Sequence, residues 1–230
     1  MARYLSLSAT QRFYDLLGSR LDTQAFYEDR ALNILIKNGN FETAQNVMEF
    51  GCGTGRFAAR LLRDVLPCKA RYHGCDLSPK MVALSRERLG QFGPRVSIWQ
   101  SGETFDLTPG QPPFDRICST FVLELFAPER IREFLTVAAQ ALTPGGLLCL
   151  SNLTTGQDLV SGFVSKTWEG LARLSPALVG GCHPARLDLL LSEEQWHIHH
   201  HWLGSSWGIP LEVTIAARTD PANTNELETR

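Results

Sequence analysis

Paired cysteines are missing. The six in the 230 residues are Cys52, Cys68, Cys75, Cys118, Cys149 and Cys182, and no two form a C-x-x-C pair. Most sit inside apolar runs, which speaks for packed, reduced thiols and against disulfides or a thiolate zinc site. No apolar run approaches the roughly 20 residues of a membrane span. Met1 to Leu17 lack the apolar core and cleavage site of a signal peptide, so no targeting segment is read and a cytoplasmic location is expected. Charge of one sign is not in excess: 22 Lys and Arg face 24 Asp and Glu, a net −2. That lacks the basic surplus of a general nucleic-acid binder. With 43% hydrophobic and 20% charged residues, the chain is expected to fold around one sizeable core. Nothing in it sets an oligomeric state.

What is present is a glycine turn. Asn46-Val47-Met48-Glu49-Phe50 leads into Gly51-Cys52-Gly53-Thr54-Gly55-Arg56, and Phe57, Ala58, Leu61, Leu62 and Val65 follow at helical spacing. Strand, glycine turn and helix together let backbone approach a nucleotide closely, with free N–H groups at the helix start. A P-loop needs Lys-Ser/Thr after its last glycine, but Arg56-Phe57 stands here. A dinucleotide turn reads G-x-G-x-x-G, and Arg56 occupies the place of its third glycine. The tighter G-x-G-x-G, with Glu49 two residues ahead, resembles motif I of the class I S-adenosylmethionine (SAM)-dependent methyltransferases. The resemblance implies that Glu49, Gly51, Cys52, Gly53 and Gly55 surround the methionine part and ribose of SAM.

A second anchor is Asp76, 21 residues after Gly55, at the end of the apolar run 70–75. A carboxylate there can accept from both ribose hydroxyls. Ser78-Pro79 supplies an N-cap and first-turn proline for the next helix, which leaves Asp76 free for the ligand. Leu77 and Met81 are expected against the adenine. After a third strand over 96–100 comes Ser101-Gly102-Glu103-Thr104, where the related methyltransferases commonly have Gly-Asp-Ala. The resemblance implies that Gly102, Glu103 and Thr104 meet the adenine amino group, although glutamate replaces aspartate. It also implies that Thr120 to Phe126, at the end of a fourth strand over 114–120, lie beneath the cofactor and face the substrate, with Ser119 and Phe121 at the cofactor. Leu142-Thr143-Pro144-Gly145-Gly146 turns into a fifth strand over 147–152, because proline ends a helix and glycine allows the reversal.

Strands alternating with helices through residue 153 imply a Rossmann-like, doubly wound, mostly parallel sheet. An antiparallel C-terminal hairpin over 196–202 and 211–218 would bring it to seven strands. A single domain is expected over 1–218. Residues 1–40 form a helical lid broken near Gly18 and Asp22, 154–194 form a substrate-side insertion, and 219–230 are a polar tail. In the lid, Arg12-Phe13-Tyr14-Asp15 resembles the opening of quinone-biosynthesis-type methyltransferases, which implies that Tyr14 helps close the cofactor site. In the insertion Val160, Phe163, Val164, Trp168, Leu171 and Leu174 recur at helical spacing, and the scarcity of charge fits an apolar or lipid-like small acceptor. His197, His199, His200 and His201 suggest a metal tract, but strand alternation leaves at most His197, His199 and His201 on one face with no acid or cysteine beside them. No metal site is expected.

The expected function is SAM-dependent methyl transfer. A sulfonium methyl is already activated, so the protein mainly aligns the reactants and excludes water. Glu124, His183 and Tyr14 are the candidate proton-handling or orienting groups. Two other classes stay open: a SAM-binding module without catalysis, which label transfer from SAM would separate, and an NAD(P)-dependent oxidoreductase, which a comparison of SAM and NAD binding would separate.

Overall fold

The computed structural model describes residues 4–107, 109, 113–156, 162, 167, 170 and 180–219. Apolar runs become the strands β1 (Asn46–Phe50), β2 (Arg71–Asp76), β3 (Val96–Gln100), β4 (Phe114–Thr120), β5 (Leu142–Leu153), β6 (Trp196–Ser206) and β7 (Ile209–Arg218). Amphipathic stretches become α1 (Leu7–Leu17), α2 (Ala25–Asn38), α3 (Arg56–Asp64), α4 (Pro79–Leu89) and α5 (Pro128–Ala141). The sheet order is β3-β2-β1-β4-β5-β7-β6. The first five strands are parallel, and β7 runs antiparallel between β5 and β6. This is the expected seven-stranded sheet. Successive strands run outward from β1 to β3, and the chain then returns to β4 on the other side of β1. That reversal opens a crevice at the carboxyl ends of β1 and β4, where this architecture binds ligands.

Alternation along each strand divides the core between the two faces. Val47 packs with Leu32 and Leu35 of α2 and with Ala58 and Leu61 of α3. The next residue, Met48, packs with Phe134, Leu135 and Ala138 of α5. Helix starts follow capping chemistry: Ser78 Oγ accepts from Met81 N–H at 3.1 Å with Pro79 in the first turn, and α3 starts from Gly55 at φ 75°. The expected break near Gly18 and Asp22 is a 3-10 segment, Gly18–Gln24, between α1 and α2.

Three expectations change. The reversal after α5 lies inside β5: Leu142 already pairs with Phe114, and the register shifts before Leu147 pairs with Arg116. The hairpin is longer than 196–202 and 211–218, because only Trp207 and Gly208, at φ 54° and 77°, separate β6 from β7. Two consecutive left-handed residues match the twist of the flanking strands. The histidine tract is interrupted by an irregularity between Ile198 and His200. An extra residue in a strand re-aims the side chains beyond it, so His201 does not share a face with His197 and His199. The helical spacing from Val160 to Leu174 and the tail beyond Thr219 fall outside the described residues, apart from isolated positions.

Candidate functional site

The glycine turn and the lid enclose a cavity of about 460 Å³, within the size range of cofactor and small-molecule pockets. Each glycine has its own neighbour. A Cβ on Gly51 would lie 2.3 Å from Val122 Cγ2, and Gly51 is what lets the loop after β4 press against the turn. Gly53 faces the lid, with Leu21 Cδ2 3.2 Å from a Cβ built there. A Cβ on Gly55 would meet Ser85 Oγ at 2.7 Å, so Gly55 admits α4 alongside α3. Gly51, Cys52 and Gly53 line the cavity; Gly55 does not.

Asp76 ends β2 and lines the same cavity. Its Oδ2 accepts from Gly53 N–H and its Oδ1 from Ser78 N–H, both at 2.9 Å. The carboxylate therefore braces the turn and the start of α4 as well as facing the space a ribose would occupy. Burial raises its pKa to about 6, against the pull of those two N–H donors. Glu49 is buried between the Tyr72 hydroxyl and Thr120 Oγ1, the latter at 3.0 Å, and burial raises it to about 7. Leu77, Met81 and Phe121 also line the cavity. Phe121 takes φ 58°, a conformation that costs a bulky residue energy and recurs where loops are held for function.

Glu124 lies in the 3-10 turn Leu123–Leu125 after β4. It is 1% exposed and lines the cavity. Its Oε1 accepts from Leu153 N–H at 3.3 Å, while its buried Oε2 meets no partner among the described residues. Burial raises this carboxyl to about 8. Tyr14 also lines the cavity; burial first, then Cys182, Glu124 and Asp76, push its phenol upward. Its hydroxyl bonds the Cys182 thiol. His183 donates its backbone N–H to the Glu124 carbonyl at 2.7 Å. Its ring packs on Tyr4, a lining residue, with centroids 4.4 Å apart, but His183 itself is not among the residues that line the cavity.

Other sequence-predicted residues lie elsewhere. Gly102, Glu103 and Thr104 are exposed, and the Glu103 carbonyl accepts from Arg130 at 2.5 Å. From that stretch Ser101 alone reaches the cavity. Ser119 is buried behind it, donating to the Phe50 carbonyl at 3.2 Å. Conversely, Leu21, Tyr27, Glu28 and Cys182 line the cavity without a motif of their own. Helical spacing along the N-terminal stretch signalled Leu21, while Tyr27, Glu28 and Cys182 carried no signal of their own.

The N-terminal helices are clasped to the turn by acids. Asp15 accepts from Ser78 Oγ at 2.5 Å, Asp22 from Thr54 Oγ1 and Arg88 at 2.5 Å, and Glu28 and Asp29 pair with Arg56. The histidine tract meets acids too: His201 Nε2 lies 3.1 Å from Glu212 and 3.9 Å from Asp188. These three can bring ligand atoms within 4.8 Å of one another, which corrects the expectation of no acid nearby. The carboxylates are engaged, however. Arg186 grips Asp188 at 2.7 and 2.6 Å, and Glu212 accepts from the N–H groups of Leu187 and Asp188 at 3.0 Å. The cluster clasps a 3-10 turn onto the hairpin.

Asp76, Glu28, Glu49 and Glu124 all carry pKa values raised by burial. The folded domain therefore holds protons that the unfolded chain releases at lower pH. Their contribution to stability is full at low pH and lost as pH rises through about 6 to 8. The melting temperature without ligand is expected to fall between about pH 5 and pH 9; a rise over that range would contradict the burial of these carboxyls.

The crevice, the glycine turn and Asp76 have the arrangement of a class I SAM-dependent methyltransferase domain, and the residues present fit SAM: the backbone of Gly51 and Gly53 bounds the cavity and a carboxylate shifted by burial faces it. Residues 47–146 match the methyltransferase domain family. The chain is 31% identical over 124 residues to a demethylmenaquinone methyltransferase of Tropheryma whipplei, covering 52% of this chain and 46% of that protein. It is 32% identical over 123 residues to the carboxy-S-adenosyl-L-methionine synthase of Chromohalobacter salexigens, covering 51% and 43%. The chain thus spans less than half the length of these relatives. The SAM-bound magnesium protoporphyrin IX methyltransferase of Synechocystis PCC 6803 shares the fold, with a TM-score of 0.63 at 15% identity, over 95% of this chain and 100% of that one. Among the described residues no helix is long and apolar enough to cross a membrane.

Proposed function

We propose that the protein transfers the methyl group of SAM to a small, apolar acceptor. The observation that carries this reading is the convergence of the glycine turn, Asp76 and an aromatic lid on one enclosed cavity. In this reading Gly51, Cys52 and Gly53 bound the methionine part and ribose, Glu49 steadies the turn, Asp76 takes the ribose hydroxyls, and Leu77, Met81 and Ser101 bound the adenine. Tyr14 closes the site from the N-terminal helices, residues 1–40 acting as a lid, and Gly180 and Cys182 of the 154–194 insertion bound the cavity. The cavity is lined by aromatic side chains, among them Phe13, Tyr27, Phe57 and Phe126, which favours an apolar partner over nucleic acid. The SAM sulfonium supplies the activated methyl; the chain supplies alignment and a dry cavity.

S-adenosylhomocysteine is expected to bind with a dissociation constant of about micromolar or tighter, equivalent to roughly 8 kcal/mol, and NAD and NADP are expected not to bind. Calorimetry with all three ligands checks this. NAD binding without S-adenosylhomocysteine binding would overturn the reading. Binding of SAM with no label transfer to any apolar acceptor would leave a binding module.

A further inference from the structure

Among the described residues, five carboxylates line the cavity: Asp22, Glu28, Glu49, Asp76 and Glu124. Four are already engaged, Asp22 with Thr54 and Arg88, Glu28 with Arg56, Glu49 with Tyr72 and Thr120, and Asp76 with two backbone N–H groups. Glu124 differs. One oxygen is fixed by Leu153 N–H, and the other is buried in the cavity wall without a partner among the described residues. An unpaired buried carboxyl oxygen is costly, and a ligand that donates a hydrogen bond to it removes the cost. Its place suits the reaction. Val122, two residues earlier, packs against Gly51 of the turn, and Leu153 ends β5. Glu124 therefore stands in the cavity wall between the glycine turn and the end of β5.

Resting on the methyltransferase reading, we propose that Glu124 takes the proton from the acceptor during transfer, and that the acceptor is a planar phenol. The phenol oxygen donates its hydrogen to Oε2 and attacks the sulfonium methyl in line. The O–CH₃ bond forms as the S–CH₃ bond breaks, the sulfur keeps the bonding pair and becomes a neutral sulfide, and the proton stays on the Glu124 carboxyl until water removes it. The aromatic walls select a flat ring. The groups facing Glu124 are Tyr14 and Tyr27 from the lid, Cys182 from the segment before His183, and Glu28 from α2. The phenols and the thiol are held neutral by burial, and Glu28 acts to keep the Glu124 proton bound. A base near 8 lies about two units below an ordinary phenol of about 10, which suits a proton that leaves only as methylation proceeds. An aliphatic alcohol is far too weak an acid for this match.

The test uses the full chain and 2-naphthol, with a nitro-substituted naphthol already ionised at neutral pH, 2-naphthylamine and 2-naphthoic acid as comparisons. Wild type is expected to form the methyl ether of 2-naphthol, with kcat/KM rising about tenfold per pH unit and levelling near pH 8. Glu124→Gln keeps the acceptor oxygen for Leu153 and resembles the protonated carboxyl in shape. It is expected to bind S-adenosylhomocysteine as wild type does, yet lose about 100-fold or more in kcat with 2-naphthol and little with the ionised naphthol. Equal losses on the two naphthols, or none, would overturn the role of Glu124. Methylation of the amine or the acid in preference to 2-naphthol, or S-adenosylhomocysteine binding with no naphthol methylated, would overturn the phenol. Failure of S-adenosylhomocysteine to bind wild type would instead overturn the methyltransferase reading. If the variant does not fold, the wild-type profile decides: a limb near pH 8 with 2-naphthol and none with the ionised naphthol upholds the proposal, and the same profile for both refutes it.

Discussion

Asp76→Ala is expected to weaken SAM binding by roughly 2–4 kcal/mol, about 30- to 900-fold, the range for charge-assisted hydrogen bonds lost from a buried site. Two losses contribute. The ribose hydroxyls lose their acceptors, and the N–H groups of Gly53 and Ser78 lose theirs, so the turn is freed as well. Sequence reasoning makes Asp76→Asn the milder change, because one acceptor oxygen remains. The structure removes most of that difference: the amide nitrogen of asparagine must face one of two N–H donors, whichever way it is turned. An adenosine analogue lacking the 2′-hydroxyl separates the roles. It should lose affinity for wild type and little for Asp76→Ala, because the partner is already gone. Calorimetry on the four combinations measures this, and additive losses would leave Asp76 as a brace for the turn and the start of α4.

Gly53→Val is expected to abolish detectable SAM binding while the far-ultraviolet circular dichroism of the fold persists. Gly53 sits at φ 52°, where a side chain costs about 1–2 kcal/mol and a β-branched one more. Its Cβ would press on Leu21 of the lid at 3.2 Å, with the γ-carbons filling the narrow space between lid and turn. Beyond its chain neighbours and Leu21, no atom of the described residues lies within 4 Å of that Cβ, so the sheet and α3 are expected to stay in place. Gly51→Ala gives the contrast. There the clash is with Val122 at 2.3 Å, and the first effect is a lower melting temperature. Wild-type affinity in Gly53→Val would show that the ligand lies elsewhere.

These two residues also show what could be read from sequence. The glycine turn and Asp76 are legible because both mark strand ends, where local spacing and the parallel-sheet rule determine position together. The neighbour of each glycine is not legible: Val122, Leu21 and Ser85 come from three distant segments. Glu103 illustrates a different gap. Its motif position is readable, but the loop turns its backbone toward Arg130 and leaves it exposed. The histidine tract misleads because one extra residue before His200 inverts the alternation on which a strand reading depends. Glu124 is legible as a candidate, while the orphaned oxygen that sets it apart from four other carboxylates depends on tertiary packing.

The acidic clasp on the lid bears on turnover. Asp22 and Arg88 remain about a third exposed, and ion pairs in that position are worth about 0–1 kcal/mol each and weaken in salt. A few such contacts hold the N-terminal helices against the glycine turn without locking them there. Under the proposed function, S-adenosylhomocysteine is expected to dissociate faster as ionic strength rises, and a release rate that does not change with salt would show that these contacts do not govern it.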